Sequence, residues 1–350
     1  MKKVLVTGGA GYIGSVLTRL LLKKGYQVKV LDPCFFGEEP LKDVMEDIEL
    51  IKGDVRDPKK EWFKGVSYVC HLGGFSNDPM AEFDPESNMQ INAEGTKKVA
   101  KMAKSCGVKV FTFASSASIY DKGLTEDLEA IYDEESDNPN LPHTYYYSIS
   151  KIKAENYLKE LADKNFKVVS LRQGTVYGWS PRMRFDLVVN TFVKCALLTK
   201  KLICFAGGIM WRPLIDVNDV ARAHTHVLSS KLPHNYNLYN LAYDNFRILD
   251  LAHYVRSVLK QKGIAVDIEV DYSETKVRSY RMKFDKIKKE LGFTAKVDVK
   301  NSVENMVNKI LEEKIDLTDE KYYNIKWMKK LTEIKKILKD VDKVLEPRKD

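Results

Sequence analysis

Tyr147 and Lys151 stand four residues apart in Tyr147-Ser148-Ile149-Ser150-Lys151, a segment patterned as a helix. At that spacing two side chains share one helix face. An ammonium group and any second cation nearby would both stabilise a phenolate, lowering its pKa from the usual ~10. Such a tyrosine can remove a proton from a substrate hydroxyl while hydride leaves the carbon that bears it. Three tyrosines run together here, Tyr145 to Tyr147, and Lys151 selects Tyr147 among them. Ser116, in Ala114-Ser115-Ser116-Ala117-Ser118-Ile119-Tyr120, would hydrogen-bond the same oxygen.

A hydride needs an acceptor. Thr7-Gly8-Gly9-Ala10-Gly11-Tyr12-Ile13-Gly14 satisfies G-x-G-x-x-G at Gly9, Gly11 and Gly14, and G-x-x-G-x-x-G at Gly8, Gly11 and Gly14. Glycine permits the tight turn and lets the backbone approach a pyrophosphate, which the positive end of the following helix holds. Asp32 ends the next apolar run. A carboxylate there accepts from a ribose 2′-OH and repels a 2′-phosphate, which favours NAD over NADP. Gly53-Asp54-Val55-Arg56-Asp57 would set Asp54 and Val55 at the adenine edge.

These residues need elements to hold them. Short apolar runs predict strands at 3–7, 28–31, 48–51, 68–72, 108–114 and 167–171. Helical spacing predicts helices at 12–24, 85–106 and 144–164, and glycines 25 and 107 stop the first two. Alternating strands and helices indicate an α/β fold, a Rossmann doubly wound parallel sheet. The expected division is an NAD-binding domain of 1–173 plus 216–246. A smaller mixed α/β substrate domain of 174–215 plus 247–317 follows, then a C-terminal helical extension, 318–350. Trp327, Met328, Leu331, Ile334, Ile337, Leu338 and Val341 would form the apolar stripe of that last helix.

Composition narrows the class. The 350 residues suit about two domains, and 44% hydrophobic with 30% charged is ordinary for a globular chain. No apolar run nears the ~18 residues of a membrane span, and the N-terminus has no secretory apolar core, so a cytoplasmic protein is expected. Five widely spaced cysteines (34, 70, 106, 195 and 204) form no C-x-x-C pair and read as free thiols. The six histidines show no metal-ligand spacing, His224 and His226 included, so no metal is expected. The net charge of +8 admits a nucleic-acid partner, but no nucleic-acid-binding signature accompanies it.

Together, TGGAGYIG, Asp32, GDVRD, Ile91-Asn92-Ala93-Glu94-Gly95-Thr96, SSASIY, YSISK and Leu171-Arg172-Gln173-Gly174-Thr175-Val176-Tyr177-Gly178 make the sequence resemble one family. It is that of the extended short-chain dehydrogenase/reductases, in the nucleotide-sugar epimerase/dehydratase group. The resemblance spans nearly the whole chain to about residue 300. It implies Ser116, Tyr147 and Lys151 as catalytic residues. For NAD it implies contacts from Gly8, Gly11, Tyr12, Ile13 and Gly14, from Asp32, Asp54 and Val55, and from Leu72, Gly73, Gly74, Asn92 and Ser115, besides Tyr147 and Lys151. For a nucleotide-diphosphate sugar it implies Ser76, Asn77, Ser116, Ser118, Tyr147 and Thr175. Asn190, Arg212 in Trp211-Arg212-Pro213-Leu214, and Arg278 in Val277-Arg278-Ser279-Tyr280-Arg281 would meet the diphosphate. A homodimer through helices 85–106 and 144–164 is implied as well.

Within the family, 4,6-dehydratases place an Asp-Glu pair after the catalytic serine or threonine; this chain has Ala117 and Ser118. The 3,5-epimerases carry a cysteine at the position of Ser118. What remains resembles 4-epimerases, and a 4-dehydrogenase or 4-ketoreductase would look the same. The NAD signature favours a redox-neutral epimerisation by transient C4 oxidation. Gly174 and Thr175, and the loop His71-Leu72-Gly73-Gly74-Phe75-Ser76-Asn77-Asp78, depart from the usual epimerase pattern around the sugar. A non-catalytic dinucleotide sensor typically loses the Tyr or the Lys, and both are present.

Overall fold

The computed structural model describes residues 2–121, 128–136, 145–273 and 278–345, with side chains to 338. Val277, the first residue expected in helix 144–164 and positions 346–350 lie outside these, as do the side chains from 339 on. The first half runs β1 (Lys3–Thr7), α1 (Tyr12–Lys23), β2 (Gln27–Leu31), β3 (Ile48–Ile51), β4 (Val66–His71), α2 (Asp78–Phe83), α3 (Pro85–Asn88), α4 (Thr96–Ser105) and β5 (Val110–Ser116). Then come β6 (Ile131–Tyr132), α5 (Tyr146–Leu161), β7 (Lys167–Gln173), β8 (Thr175–Tyr177), α6 (Val188–Thr199), β9 (Lys201–Cys204), β10 (Trp211–Asp216), α7 (Val217–Ser229) and β11 (Tyr236–Leu241). The chain ends with β12 (Asp244–Arg247), α8 (Ile248–Gln261), β13 (Asp267–Val270), β14 (Arg281–Met282), α9 (Lys286–Leu291), α10 (Val299–Glu312) and α11 (Asn324–Leu345).

The main sheet has the order β11-β7-β5-β4-β1-β2-β3, with every neighbouring pair parallel. Its inner strands are rich in apolar residues because both their faces are covered; Val4, Leu5 and Val6 of β1 are fully buried. Strand order reverses between β1 and β4, and the crevice beyond their carboxyl ends is where such sheets bind ligands. The fold is the expected α/β Rossmann sheet.

One expected element is irregular. Between α3 and α4 the chain winds in π-helical turns over Met89–Gly95. These turns bury Asn92, whose Oδ1 accepts from Phe75 N at 2.8 Å and whose Nδ2 donates to Phe75 O at 3.0 Å. They also bring Gly95 against β3's following loop, where a Cβ would sit 3.2 Å from Val55 Cγ2. Side-chain spacing alone predicts a plain helix, because these demands come from distant residues.

Past β7 the sheets are small: β8 runs parallel to β10, which pairs antiparallel with β12, while β9–β13 and β14–β6 are parallel pairs. Leu171 of β7, Phe192 of α6, Leu251 of α8 and Val303 of α10 share one hydrophobic cluster, so no water layer separates these parts from the main sheet. Among the described residues no helix is long and apolar enough to cross a membrane.

Candidate active site

The cleft at the β1/β4 reversal is a cavity of about 450 Å³. Its floor is the glycine turn. Gly8 has φ +71°, and a Cβ on it would lie 2.8 Å from Gly73 N. A Cβ on Gly14 would lie 2.0 Å from Gly8 O. No side chain caps the N-terminus of α1 at Gly11, so its first N–H groups face the cleft without a side-chain partner. That cradle fits a pyrophosphate.

Asp32 closes one end. Its carboxylate accepts from Ala10 N at 3.0 Å and from Cys34 N at 2.8 Å. Burial raises its pKa, and those two bonds and the charge of Arg182 oppose the rise. Each oxygen keeps a lone pair for a ribose hydroxyl. Asp54, Val55, Leu72, Gly73, Gly74 and Ser115 line the same cavity. The residues present thus fit a dinucleotide.

At the other end stand Tyr147 and Lys151 on α5, with Ser116 ending β5. Lys151 Nζ donates to Ala114 O at 2.9 Å and lies 5.6 Å from the centre of the Tyr147 ring. Burial pulls its pKa down to about 8. Tyr147 departs from the expected lowering. Burial first, then the Asp78 charge, push its pKa up, against a hydrogen bond with Ser116 and the charge of Arg184. The protein alone therefore keeps this hydroxyl protonated. Ser116 Oγ lies 2.9 Å from Ser118 Oγ and accepts from Ser118 N at 3.2 Å.

Ser76, Asn77, Thr175, Arg212 and Arg278 also line the cavity. Arg212 Nη1 donates to the carbonyls of Trp211 and Arg278, and its guanidinium sits 5.2 Å from the Tyr280 ring centre. Arg278 pairs with Asp121 and Asp78 and stacks 3.9 Å over Tyr145. Gly174 is glycine because a Cβ there would meet Pro213 O at 2.7 Å.

Two of the expected contact residues lie off the cavity wall. Asn190 is fully buried off the cavity wall: Nδ2 donates to Tyr12 Oη at 3.1 Å and Arg184 O at 2.9 Å, and Oδ1 accepts from Gly178 N. It holds the turn before α6. Asn92 is likewise buried behind the wall, where it supports the Phe75 backbone.

The sequence reading missed several wall residues. Arg182 stacks 4.0 Å over Phe36 near Asp32, with Nη2 donating to Asn324 Oδ1 at 2.6 Å. Burial and the like charge of Arg184 pull its pKa down to about 9. Arg184 pairs with Asp186 at 2.8 Å. The Arg-x-Arg-x-Asp spacing of 182–186 was the available signal, and it carries no meaning until β8 and α6 fold it over the cleft. Asn324 and Met328 of α11 complete that side, and Trp327 Nε1 donates to Phe35 O at 2.6 Å. Among the described residues no cluster of histidine, cysteine or carboxylates could hold a metal.

Residues 4–242 match the model of the NAD dependent epimerase/dehydratase family. Among curated relatives, the dTDP-D-glucose 4,6-dehydratase of Mus musculus is 25% identical, over 87% of this chain and 88% of that protein. UDP-glucuronic acid decarboxylase 1 of Danio rerio is 25% identical over 75% of this chain, and the match spans 62% of that protein's length. Among solved structures, the UDP-glucose 4-epimerase of Thermotoga maritima with UDP-glucose shares the fold. Its TM-score is 0.75 and its identity 22%, covering 89% of this chain and all of that one. The chain belongs to the NAD dependent epimerase/dehydratase family and is an NAD-dependent enzyme.

Proposed function

We propose that this member of the NAD dependent epimerase/dehydratase family epimerises a nucleotide-diphosphate sugar at C4, by transient oxidation. One observation carries the reading. The Ser116, Ser118 and Tyr147 hydroxyls meet at the end of β5, and the two residues after Ser116 are Ala117 and Ser118, which cannot protonate a leaving hydroxyl. Loss of a hydroxyl from the oxidised sugar then has no acid to assist it, which favours return of the hydride.

Bound NAD would supply the hydride acceptor, and inversion requires the 4-keto sugar to turn over in the cleft so that the hydride returns to the opposite face of C4. Tyr147 Oη takes the C4 hydroxyl proton and later returns it to the same oxygen. Ser116 Oγ orients that oxygen by hydrogen bonding. Lys151, held by Ala114 O, carries its charge beside the tyrosine and favours the phenolate as the proton leaves. Arg212 and Arg278 supply charge for the diphosphate, with Tyr280 beneath Arg212. Arg182 and Asp32 bracket the adenosine end. Asp32 supports a retained NAD and therefore a redox-neutral cycle. A homodimer through the faces of α4 and α5 belongs to the same reading; a monomer mass in solution refutes it.

The test is incubation of the purified protein with UDP-glucose, dTDP-glucose and GDP-mannose, read by NMR, with and without added NAD. The expected result is co-purified NAD and inversion at C4 without added coenzyme. Protein that holds no NAD and inverts none of these sugars rejects the reading.

A further inference from the structure

Behind the residues that meet the cleft lies an ion pair that the chemistry so far does not use. Arg172 of β7 and Glu155 of α5 are 2% and 4% exposed, and neither lines the cavity. Glu155 Oε1 accepts from Ser115 Oγ at 2.5 Å and from Arg172 Nε at 3.1 Å, while Oε2 accepts from Arg172 Nη2 at 2.7 Å. Arg172 Nη1 donates to Tyr120 Oη at 3.0 Å, and that hydroxyl donates to Asn240 Oδ1 at 2.7 Å. One carboxylate therefore ties α5 to β5 and β7, and the arginine carries the link on to β11.

Stability is a poor reason for such a pair. Taking two charges out of water commonly costs more than their attraction returns, and well-packed apolar residues hold a core as firmly. A fully bonded carboxylate supplies fixed geometry instead. Here that geometry falls on the site. Ser115 stands between Ala114, whose carbonyl accepts from Lys151 Nζ at 2.9 Å, and Ser116, which bonds Tyr147. Tyr147, Lys151 and Glu155 follow at intervals of four along the buried face of α5.

Few charged or titratable groups surround Lys151 among the described residues. On its own helix are Tyr147, with the ring centre at 5.6 Å, and Glu155. From β4 comes His71, which burial keeps neutral. From β5 come only the Ala114 carbonyl and the Phe113 ring at 4.8 Å. Arg172 of β7 is taken up by Glu155, and Asp78 of α2 acts on Tyr147. The Glu94–Lys153 pair beside the π-helical turns is exposed to solvent. Burial pulls the Lys151 pKa down to about 8, and the Glu155 charge is the opposing influence.

We propose that Glu155, locked by Arg172, is a positioning residue for the Tyr147–Lys151 pair. It holds the Ala114–Ser116 strand end against α5, so that Lys151 keeps its seat on Ala114 O with its charge beside Tyr147. The inference rests on the reading of Tyr147 as the base and adds what keeps its neighbour in place.

The test uses the full-length enzyme, Glu155→Gln, and a double variant, Glu155→Met with Arg172→Met, which leaves no charge unpaired. Two readouts are followed across pH. One is the Lys151 side-chain NMR signal, in protein carrying isotope-labelled lysine and assigned with Lys151→Arg. The other is turnover of UDP-glucose, dTDP-glucose and GDP-mannose. Without the Glu155 charge the ammonium loses its proton more easily. The Lys151 midpoint should move below its parent value by about half a unit or more. The alkaline limb of kcat should move down with it, while KM and NAD content stay within about twofold, since the pair touches neither ligand. An unmoved midpoint and limb overturn the proposal, whatever happens to the melting temperature, because a mere brace would change only that. A raised KM with kcat unchanged overturns it as well. If Glu155→Gln unfolds, the double variant decides, and unfolding of both assigns the pair to stability and overturns the proposal. If the parent enzyme inverts none of these sugars, the proposed function falls, and the Lys151 titration still decides the role of Glu155.

Discussion

Tyr147 is held protonated until something beside it changes. Burial and Asp78 raise its pKa, and Lys151 bonds Ala114 O instead of the phenol. Removing the hydroxyl should therefore abolish proton transfer while leaving the ring's packing intact. Tyr147→Phe is expected to lower kcat by about 10²–10⁴-fold, with NAD content and melting temperature unchanged. Retained turnover would reassign the base. Arg212 presents a guanidinium backed by the Tyr280 ring. Arg212→Ala should raise KM for the nucleotide sugar by about 10-fold or more, as loss of a charge-assisted bond to phosphate does. An unchanged KM removes Arg212 from the diphosphate site.

At the element scale the glycine turn and α1 act as one unit. A methyl on Gly14 cannot be placed without moving Gly8 O, which sits 2.0 Å from it. Gly14→Ala should cost about 1–3 kcal/mol in a urea melt, as overpacking does, and should lower the NAD that co-purifies. Full NAD retention would mean the turn moves more easily than its packing suggests. The α11 helix is the other decisive element. Asn324 Nδ2 donates to Ser76 Oγ at 2.8 Å while its Oδ1 holds Arg182, and Trp327 reaches Phe35. Replacing Asn324 and Trp327 by alanine should speed NAD dissociation by about tenfold, equal to roughly 1.4 kcal/mol of lost wall contacts, measured by stopped-flow fluorescence. An unchanged rate would make α11 a cover without a grip.

For the whole molecule, two buried histidines tie the layers together. His71 on β4 bonds Thr7 Oγ1 at 2.7 Å and Thr96 Oγ1 at 2.9 Å, joining β1, β4 and α4. His224 on α7 bonds Thr112 Oγ1 at 2.7 Å and Gln173 Nε2 at 3.2 Å, joining α7 to β5 and β7. Burial pulls both pKa values from the ordinary 6.5 down to about 3. On acidification the unfolded chain takes up these protons first. Stability is thus full above about pH 6.5 and is lost as pH falls toward 3. At pH 5 the loss is about 2 kcal/mol for each histidine. The melting temperature should fall between pH 7 and pH 5, and a flat profile would contradict the burial of these rings.

The glycine spacing, Asp32, the serine-rich strand end and the Tyr-Lys pair were legible in the chain because each is a local pattern. Turn chemistry needs glycine at fixed offsets, and a helix face needs i and i+4. The parallel sheet was legible for the same reason, since strands buried on both faces are rich in apolar residues over short runs. Other features existed only in three dimensions. Asn190 and Asn92 look like ligand contacts in sequence, yet each has its amide tied to backbone from another segment. Asp78, Asp121 and Arg278 meet across 200 residues of chain, and no spacing rule anticipates a carboxylate left with one unpaired oxygen. Arg182 gains its place from Phe36 and Asn324 together. The sequence by itself determined the fold and the hydride chemistry. Tertiary structure decided which polar groups are spent inside the protein and which still face the cleft, because hydrogen-bond satisfaction is settled only by neighbours that folding brings in.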